Sequence, residues 1–143
     1  MREGYGYRFG NGLGQKLVTD TKRIMLIDDN CDIGLSLKIV LEHYYESTLK
    51  VDTFTDPTSA LDNFETGLYD LVIIDTVMPD MNGFEVYRRL KELDSKVKVC
   101  FLVPGKLYED ATRRLFPELD ESSFIQIPVA NEALVRKVRE VLC

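Results

Sequence analysis

Residues 71–83 read LVIIDTVMPDMNG, in which four apolar residues lead directly into an aspartate and then into a turn marked by proline and glycine. A short, continuous apolar run bounded by turn residues predicts a buried strand. A carboxylate at the end of such a strand costs free energy unless it is paired or hydrogen-bonded. We therefore expect the carboxylate of Asp75 to have a binding partner or a function, and the rest of the sequence should indicate which.

Four further stretches read as strands, and a helical pattern follows each of the five. The predicted strands are 23–27, 48–54, 71–74, 97–103 and 124–127. Either Asn30 or Asp32 is suited to cap the first helix. That helix carries, at helical spacing, Ile33, Leu37, Val40 and Tyr44. The other predicted helices are 56–67, 83–93, 106–119, which Pro117 should bend or end, and 131–142.

Continuous rather than alternating hydrophobicity in the first, third and fourth strands indicates that both faces of the sheet are covered. The sequence thus predicts an α/β fold with a doubly wound, five-stranded parallel sheet. Residues 1–22 stand apart as a flexible, Gly-rich N-terminal tail that holds five of the nine glycines, and residues 23–143 form the predicted domain. The GNGLG run in that tail lacks both the preceding strand and the spacing of a nucleotide-binding loop.

Composition excludes several classes of protein. The chain has 143 residues and a formal charge of -6, which suits one domain and lacks the basic surplus of a nucleic-acid binder or an anionic-membrane binder. No apolar run approaches the roughly 18–20 residues of a transmembrane helix, and the N-terminus lacks a signal-peptide core. Three widely spaced cysteines, Cys31, Cys100 and Cys143, form no CxxC pair. We expect a reduced, cytoplasmic protein without a zinc site.

Acidic residues end two of the predicted strands. Asp28 and Asp29 follow the first strand, and Asp75 ends the third. If these strands are neighbours, three carboxylates crowd together beyond the sheet edge, where ligands bind in such folds. Crowded like charges favour a shared cation, and an all-oxygen set suits Mg²⁺. Taken alone, Asp28 and Asp29 could simply cap the helix that follows them. Because Asp75 ends the third strand in the corresponding place, a metal site is the favoured interpretation.

The turn after Asp75 extends this interpretation. Pro79 and Gly83 bracket a tight loop that allows backbone groups of residues 76–78 to face the metal. With IMLIDDN at 24–30 and DLVIIDTVMPDMNGFEVYRRLK at 70–91, the chain resembles the receiver domain of two-component response regulators over residues 23–142. The resemblance implies a flavodoxin/CheY-like three-layer sandwich with strand order 2-1-3-4-5.

The resemblance also implies roles for particular residues. Asp75 is then the phosphoacceptor, and the donor is a histidine kinase or a small acyl phosphate. Mg²⁺ is held by Asp28, Asp29, Asp75 and the backbone carbonyl of Val77, with Asp28 acting partly through water. Further positions match the family loops, namely Met78, Pro79, Gly83 and Pro128. Such a protein is phosphorylated but is not a turnover enzyme.

Two positions depart from the family pattern. Val103 stands where the fourth strand normally ends in threonine or serine, and Pro104 follows it. Ile127 stands where the fifth strand normally ends in lysine, whereas the neighbouring switch aromatic is kept as Phe124. The chain thus lacks both side chains that normally hold the phosphoryl group, so we expect weakened switching.

Several functions remain open at this point. The first is a Mg²⁺-dependent phosphoacceptor with weakened switching, and the second is a degenerate receiver that binds partners without phosphorylation. Two other classes are disfavoured: an aspartate-nucleophile phosphatase of the haloacid-dehalogenase type needs a second acid where this chain has Val77, and a flavodoxin-like carrier needs a hydroxyl-rich loop that does not follow the first strand here. We expect partners, or a second copy, on the face of the fourth and fifth helices, and no direct nucleic-acid or membrane contact. Because the sequence stops after the fifth helix, we expect a stand-alone receiver or a piece of a longer chain.

Overall fold

The computed structural model describes residues 21–76, 78 and 81–143. Five strands form one parallel sheet: β1 (Lys22–Ile27), β2 (Leu49–Phe54), β3 (Leu71–Asp75), β4 (Lys98–Val103) and β5 (Phe124–Gln126). Five α-helices alternate with them: α1 (Cys31–Tyr45), α2 (Pro57–Asn63), α3 (Gly83–Leu93), α4 (Lys106–Leu115) and α5 (Asn131–Leu142). The strand order is β2-β1-β3-β4-β5, which confirms the predicted fold. None of the helices described is both long and apolar enough to cross a membrane.

Local sequence signals explain where the helices begin and end. The side chain of Asn30 caps α1 by accepting from the backbone N–H groups of Asp32 and Ile33, at 3.0 and 3.2 Å. Pro57 opens α2, a position where its missing N–H costs nothing. Helix α4 ends at Leu115, two residues before Pro117, which confirms that this proline marks the end of the helix.

Alternate strand residues supply two core layers, one on each face of the sheet. Strand residues such as Ile74 and Phe101 pack with α2, α3 and the end of α4, whereas Ile73 and Leu102 pack with α1 and α5. The predicted α1 stripe is wrong at Tyr44, which is 47% exposed, because the buried line of α1 runs through Gly34, Leu37 and Leu41.

Helix α1 also covers the outer edge of β2. The backbone N–H of Val51 donates to Glu42 Oε2 at 2.8 Å, and its carbonyl accepts from Lys38 Nζ at 2.5 Å. Lys38 and Glu42 also pair with each other at 3.1 Å, one helical turn apart. The free backbone groups of Val51 at this edge strand are thus satisfied by side chains of the same protein.

Candidate functional site

The three predicted acids come together at the carboxyl end of the sheet. Ile27 in β1 lies beside Ile74 in β3, so the residues that follow these two strands are neighbours. One carboxylate oxygen from each of Asp28, Asp29 and Asp75 lies within 4.8 Å of the others. Asp28 is buried, Asp75 is half-buried and Asp29 is exposed, so the cluster opens to solvent on one side.

Asp28 is the most constrained of the three acids. Its Oδ1 accepts the backbone N–H of Asn30 at 2.9 Å, whereas its buried Oδ2 has no hydrogen-bond donor among the described residues. Burial raises the pKa of Asp28 above its ordinary value, and the charge of Asp29 adds to the rise. An orphaned buried oxygen in an all-carboxylate donor set fits a hard divalent cation, so the residues present suit Mg²⁺.

Backbone packing around Gly83 fixes the end of β3. A Cβ at Gly83 would lie 2.5 Å from the carbonyl oxygen of Asp75, so only glycine allows α3 to begin this close to the site. Thr76 is buried, and both its hydroxyl and its backbone N–H donate to the carbonyl of Leu102, at 3.0 and 3.3 Å. Sequence reasoning missed this anchor of Thr76 on β4, for which the only signal was a polar residue inside an apolar stretch.

The other half of the sheet end is apolar. Val103 is fully buried at the end of β4, and its carbonyl accepts the backbone N–H of Ile127 at 2.8 Å. Ile127 is half-buried and packs against the core layer of α1 and α5. Phe124 is buried, with its ring stacked on Phe101 at a centroid distance of 6.0 Å.

The remaining predicted loop residues differ in what the structure describes. Met78 is 6% exposed and belongs to the core layer of α2 and α3. Pro128 is exposed and follows a cis peptide bond from Ile127. Val77 and Pro79 lie outside the described residues, so their predicted roles stay predictions.

An apolar cleft of about 610 Å³ adjoins the site and was not foreseen from the sequence. Its walls come from the first turns of α1 and from the segments that follow β4 and β5. The lining residues are Asp32, Ile33, Ser36, Leu37, Pro104, Ile127, Pro128 and Val129. None of the described residues that line the cleft is a lysine or an arginine, so Ile127 contributes hydrocarbon where the family pattern has a cation.

Comparison with known sequences places this geometry in a family. A family model described as "Response regulator receiver domain" matches residues 24–139. Among curated relatives, the transcriptional regulatory protein YkoG of Bacillus subtilis is 29% identical over 120 residues, which cover 83% of this chain and 50% of YkoG. The response regulator ArlR of Staphylococcus aureus is 24% identical over 84% of this chain and 52% of its own length. The chain spans about half the length of these curated relatives.

Solved structures give the same fold. A CheY-like receiver domain protein from Methanospirillum hungatei superimposes with a TM-score of 0.72 at 26% identity, covering 85% of this chain and 94% of the other. The response regulator DrrB of Thermotoga maritima has a TM-score of 0.71 at 23% identity, over 85% of this chain and 52% of DrrB. At that lower identity the likeness to DrrB concerns the fold alone.

Proposed function

The chain belongs to the response regulator receiver domain family, and on that premise we propose that Asp75 accepts a phosphoryl group from a histidine kinase or a small acyl phosphate. The observation that carries the proposal is the convergence of Asp28, Asp29 and Asp75 within 4.8 Å. Because receivers of this kind are phosphorylated by kinases in the cytoplasm, we also propose a cytoplasmic location for this protein.

Asp28, Asp29 and Asp75 are the residues that would hold Mg²⁺, with the Val77 carbonyl as the further ligand that the resemblance implies. A bound Mg²⁺ would neutralise charge on the phosphoryl oxygens during transfer. It would also relieve the repulsion among the three carboxylates. The buried Oδ2 of Asp28, which accepts no hydrogen bond from any described residue, supports this assignment.

Asp75 would act as the nucleophile. A carboxylate oxygen of Asp75 forms a bond to phosphorus while the bond from phosphorus to the donor's leaving group breaks and the leaving group takes the electron pair. The product is an acyl phosphate on Asp75, which water can hydrolyse to restore the carboxylate. The hydrogen bonds from Thr76 to Leu102 and the tight fit of Gly83 hold the backbone around Asp75 in place.

The apolar half of the site would make this reaction weak. The Val103 side chain offers no hydroxyl, and Ile127 offers no positive charge, so neither stabilises the transferring group. Loss of one positioned donor commonly costs about 2.7–4 kcal/mol of transition-state stabilisation. We therefore expect slow labelling and a poor conformational response.

A second candidate is a protein-binding receiver that works without phosphorylation. The apolar cleft favours it, because Ile127 and Pro104 form part of a surface that an apolar side chain could enter. In this case the acids would contribute charge complementarity rather than chemistry.

The two candidates are separated by intact-mass measurement after incubation with acetyl phosphate and Mg²⁺. We expect the wild-type chain to gain one phosphoryl mass and Asp75→Asn to gain none. Asp56→Asn is the matched control and should label like wild type, because Asp56 caps α2, is not one of the three clustered carboxylates, and is replaced by a residue that caps equally well. If the wild-type chain gains no phosphoryl mass and its stability is insensitive to Mg²⁺, the protein-binding candidate is preferred.

A further inference from the structure

The apolar cleft lies between two parts of the chain that leave the same end of the sheet. One wall is formed by the first turns of α1, which follows β1, and the other by the segments after β4 and β5. Strand β3 lies between β1 and β4 in the sheet, so its last residue, Asp75, falls between the two walls in the strand order. The cleft therefore adjoins the acidic cluster at Asp75.

The lining of the cleft is hydrocarbon with an acidic edge. Among the described residues that line it, only Asp32 and Ser36 have polar side chains. Asp32 is exposed and forms no ion pair with any other described residue. Hydrocarbon walls beside a carboxylate match a ligand that has an apolar body and a positively charged end. The apolar lining residues are Ile33, Leu37, Pro104, Ile127, Pro128 and Val129.

The acids beside the cleft add to this negative charge. Asp28, Asp29 and Asp75 place one carboxylate oxygen each within 4.8 Å of the others. The buried Oδ2 of Asp28 accepts no hydrogen bond from any described residue. A group of like charges beside low-polarity walls concentrates its field in the cleft. A cation in the cleft would therefore be attracted toward the acids, and the described lining supplies neither lysine nor arginine to take that place.

We propose that this cleft binds a small aliphatic amine, with the hydrocarbon body against Ile33 and Ile127 and the protonated nitrogen toward Asp32 and the acidic cluster. The cleft volume of about 610 Å³ lies within the roughly 300–1,000 Å³ of small-molecule sites. Because Asp29 and Asp32 are exposed, the ammonium keeps part of its contact with water while the hydrocarbon is buried. The binding itself does not depend on phosphoryl transfer.

A free amine suits the cleft better than a lysine side chain of a partner protein. The hydrocarbon chain of a lysine ends in a backbone with two amide groups, which lose hydrogen bonds to water as they approach apolar walls. Asp32 and Ser36 are the only polar side chains in the described lining, so the cleft offers few replacement partners. We therefore expect the cleft to prefer an amine whose body is hydrocarbon throughout.

Binding is measured on the full chain by amide NMR shifts, without a phosphoryl donor and at constant ionic strength. Hexylammonium should bind saturably and shift amides of the cleft. Hexanol has the same body without the charge, and methylammonium has the charge without the body. Each should bind at least about tenfold more weakly, which corresponds to about 1.4 kcal/mol. Nα-acetyl-lysine methylamide, which represents a lysine of a partner protein, should also bind more weakly.

Variants of the lining test the location. Ile127→Lys places a tethered ammonium in the cleft and should abolish saturable binding of hexylammonium. Ile127→Met keeps the site hydrocarbon and should bind far better than Ile127→Lys. Asp32→Asn should weaken binding by about threefold to fivefold, the worth of one exposed ion pair. Asp62→Asn removes an exposed carboxylate from α2, outside the lining, and is the matched control that should leave binding unchanged.

Four results would overturn the proposal. Equal binding of hexylammonium and hexanol would show that the charge is not recognised. Unchanged binding by Ile127→Lys would place the amine elsewhere. Equal binding of Nα-acetyl-lysine methylamide would show that the cleft takes a protein side chain. Mg²⁺ should weaken binding because it neutralises part of the acidic charge. Complete loss of binding in Mg²⁺ would instead place the amine in the acidic cluster rather than in the cleft.

An effect of the amine on labelling rests on the proposed function, unlike the binding. An ammonium near Asp75 would stabilise negative charge on the transferring group, so saturating hexylammonium should speed labelling by acetyl phosphate about tenfold, less than a fixed donor because it is not tethered. Hexanol should leave the rate unchanged. Saturable binding without labelling under any condition would refute phosphoryl transfer and leave the amine site intact. Labelling without saturable binding would refute the amine site alone.

Discussion

The carboxyl end of the sheet has two halves of opposite chemistry. Behind β1 and β3, Asp28, Asp29 and Asp75 gather three carboxylates within 4.8 Å. Behind β4 and β5, Val103 and Ile127 present only hydrocarbon. The first half has what a metal and a nucleophile require, whereas the second lacks the groups that would hold a phosphoryl oxygen. We therefore expect the acidic half to supply the phosphoryl acceptor, and the apolar half to limit both the rate of labelling and the response to it.

The largest effect should come from making the apolar half polar. Val103→Thr combined with Ile127→Lys restores a hydroxyl and a cation, and we expect the rate of labelling by acetyl phosphate to rise by about 10²-fold, the worth of one positioned donor. Val103→Thr with Ile127→Met is the matched control, because methionine fills similar space without charge. Equal rates for wild type and the double variant would show that these two positions do not limit the reaction.

The next effect concerns the backbone that supports the acidic half. Gly83→Ala places a Cβ 2.5 Å from the carbonyl of Asp75, and such overpacking should lower the free energy of unfolding by about 1–3 kcal/mol. It should also weaken the stabilisation by Mg²⁺, since Asp75 must move. Gly105→Ala is the control, because a Cβ there meets nothing within 4 Å. Urea denaturation with and without Mg²⁺ measures both effects, and similar losses for the two variants would contradict this account.

Removing one charge from the acidic half should stabilise the metal-free chain. Burial raises the pKa of Asp28, so ionised Asp28 opposes folding, and Asp28→Asn should raise the free energy of unfolding at neutral pH by about 1–2 kcal/mol. The gain should vanish below the ordinary aspartate pKa, where both states are protonated, and reach its full size above the raised folded pKa. Asp28→Asn should also respond less to Mg²⁺. A loss of stability at neutral pH in metal-free buffer would refute this interpretation.

Asp52, which lies outside the site, has a lowered pKa where that of Asp28 is raised, and its substitution should have the smallest effect on stability. Burial alone would raise the pKa of Asp52, but hydrogen bonds from Tyr69 at 2.8 Å and Arg23 at 2.9 Å outweigh it and leave the pKa lowered. Asp52→Asn should therefore cost about 1 kcal/mol at neutral pH. The cost should fade as the pH falls from the ordinary aspartate pKa through the lowered one. Thermal unfolding between neutral and acid pH checks the sign, which should be opposite to that of Asp28→Asn.

Features that depend on local sequence were predictable. Asn30 caps α1 because its side chain reaches N–H groups two and three residues away, and α4 ends before Pro117 because proline excludes a helical residue before it. The convergence of Asp28 and Asp75 could also be inferred, since parallel neighbouring strands bring their ends to one edge. In each case the relevant contact is set by chain direction or by residues close in sequence.

Features that depend on tertiary packing were not predictable. Glu109 reads as a surface residue, yet it is buried and accepts a hydrogen bond from Gln126 of a different strand. The start of α3 at Gly83 was predicted, but the sequence does not reveal that the missing side chain of Gly83 makes room for the Asp75 carbonyl. Tyr44 fits a helical stripe but is exposed, because the buried line of α1 runs through Gly34, Leu37 and Leu41. Local sequence patterns reveal none of these three features, because each depends on how separate parts of the chain pack together.

The way Lys38 and Glu42 hold Val51 has a consequence for aggregation. An exposed strand edge can recruit a strand from another molecule and so begin a fibril. A foreign strand could pair along β2 only after displacing both side chains from the backbone of Val51. At the opposite edge, β5 has only three residues to offer. Growth by strand addition is therefore hindered at both margins of the sheet, which leaves helix surfaces as the route for contact between molecules.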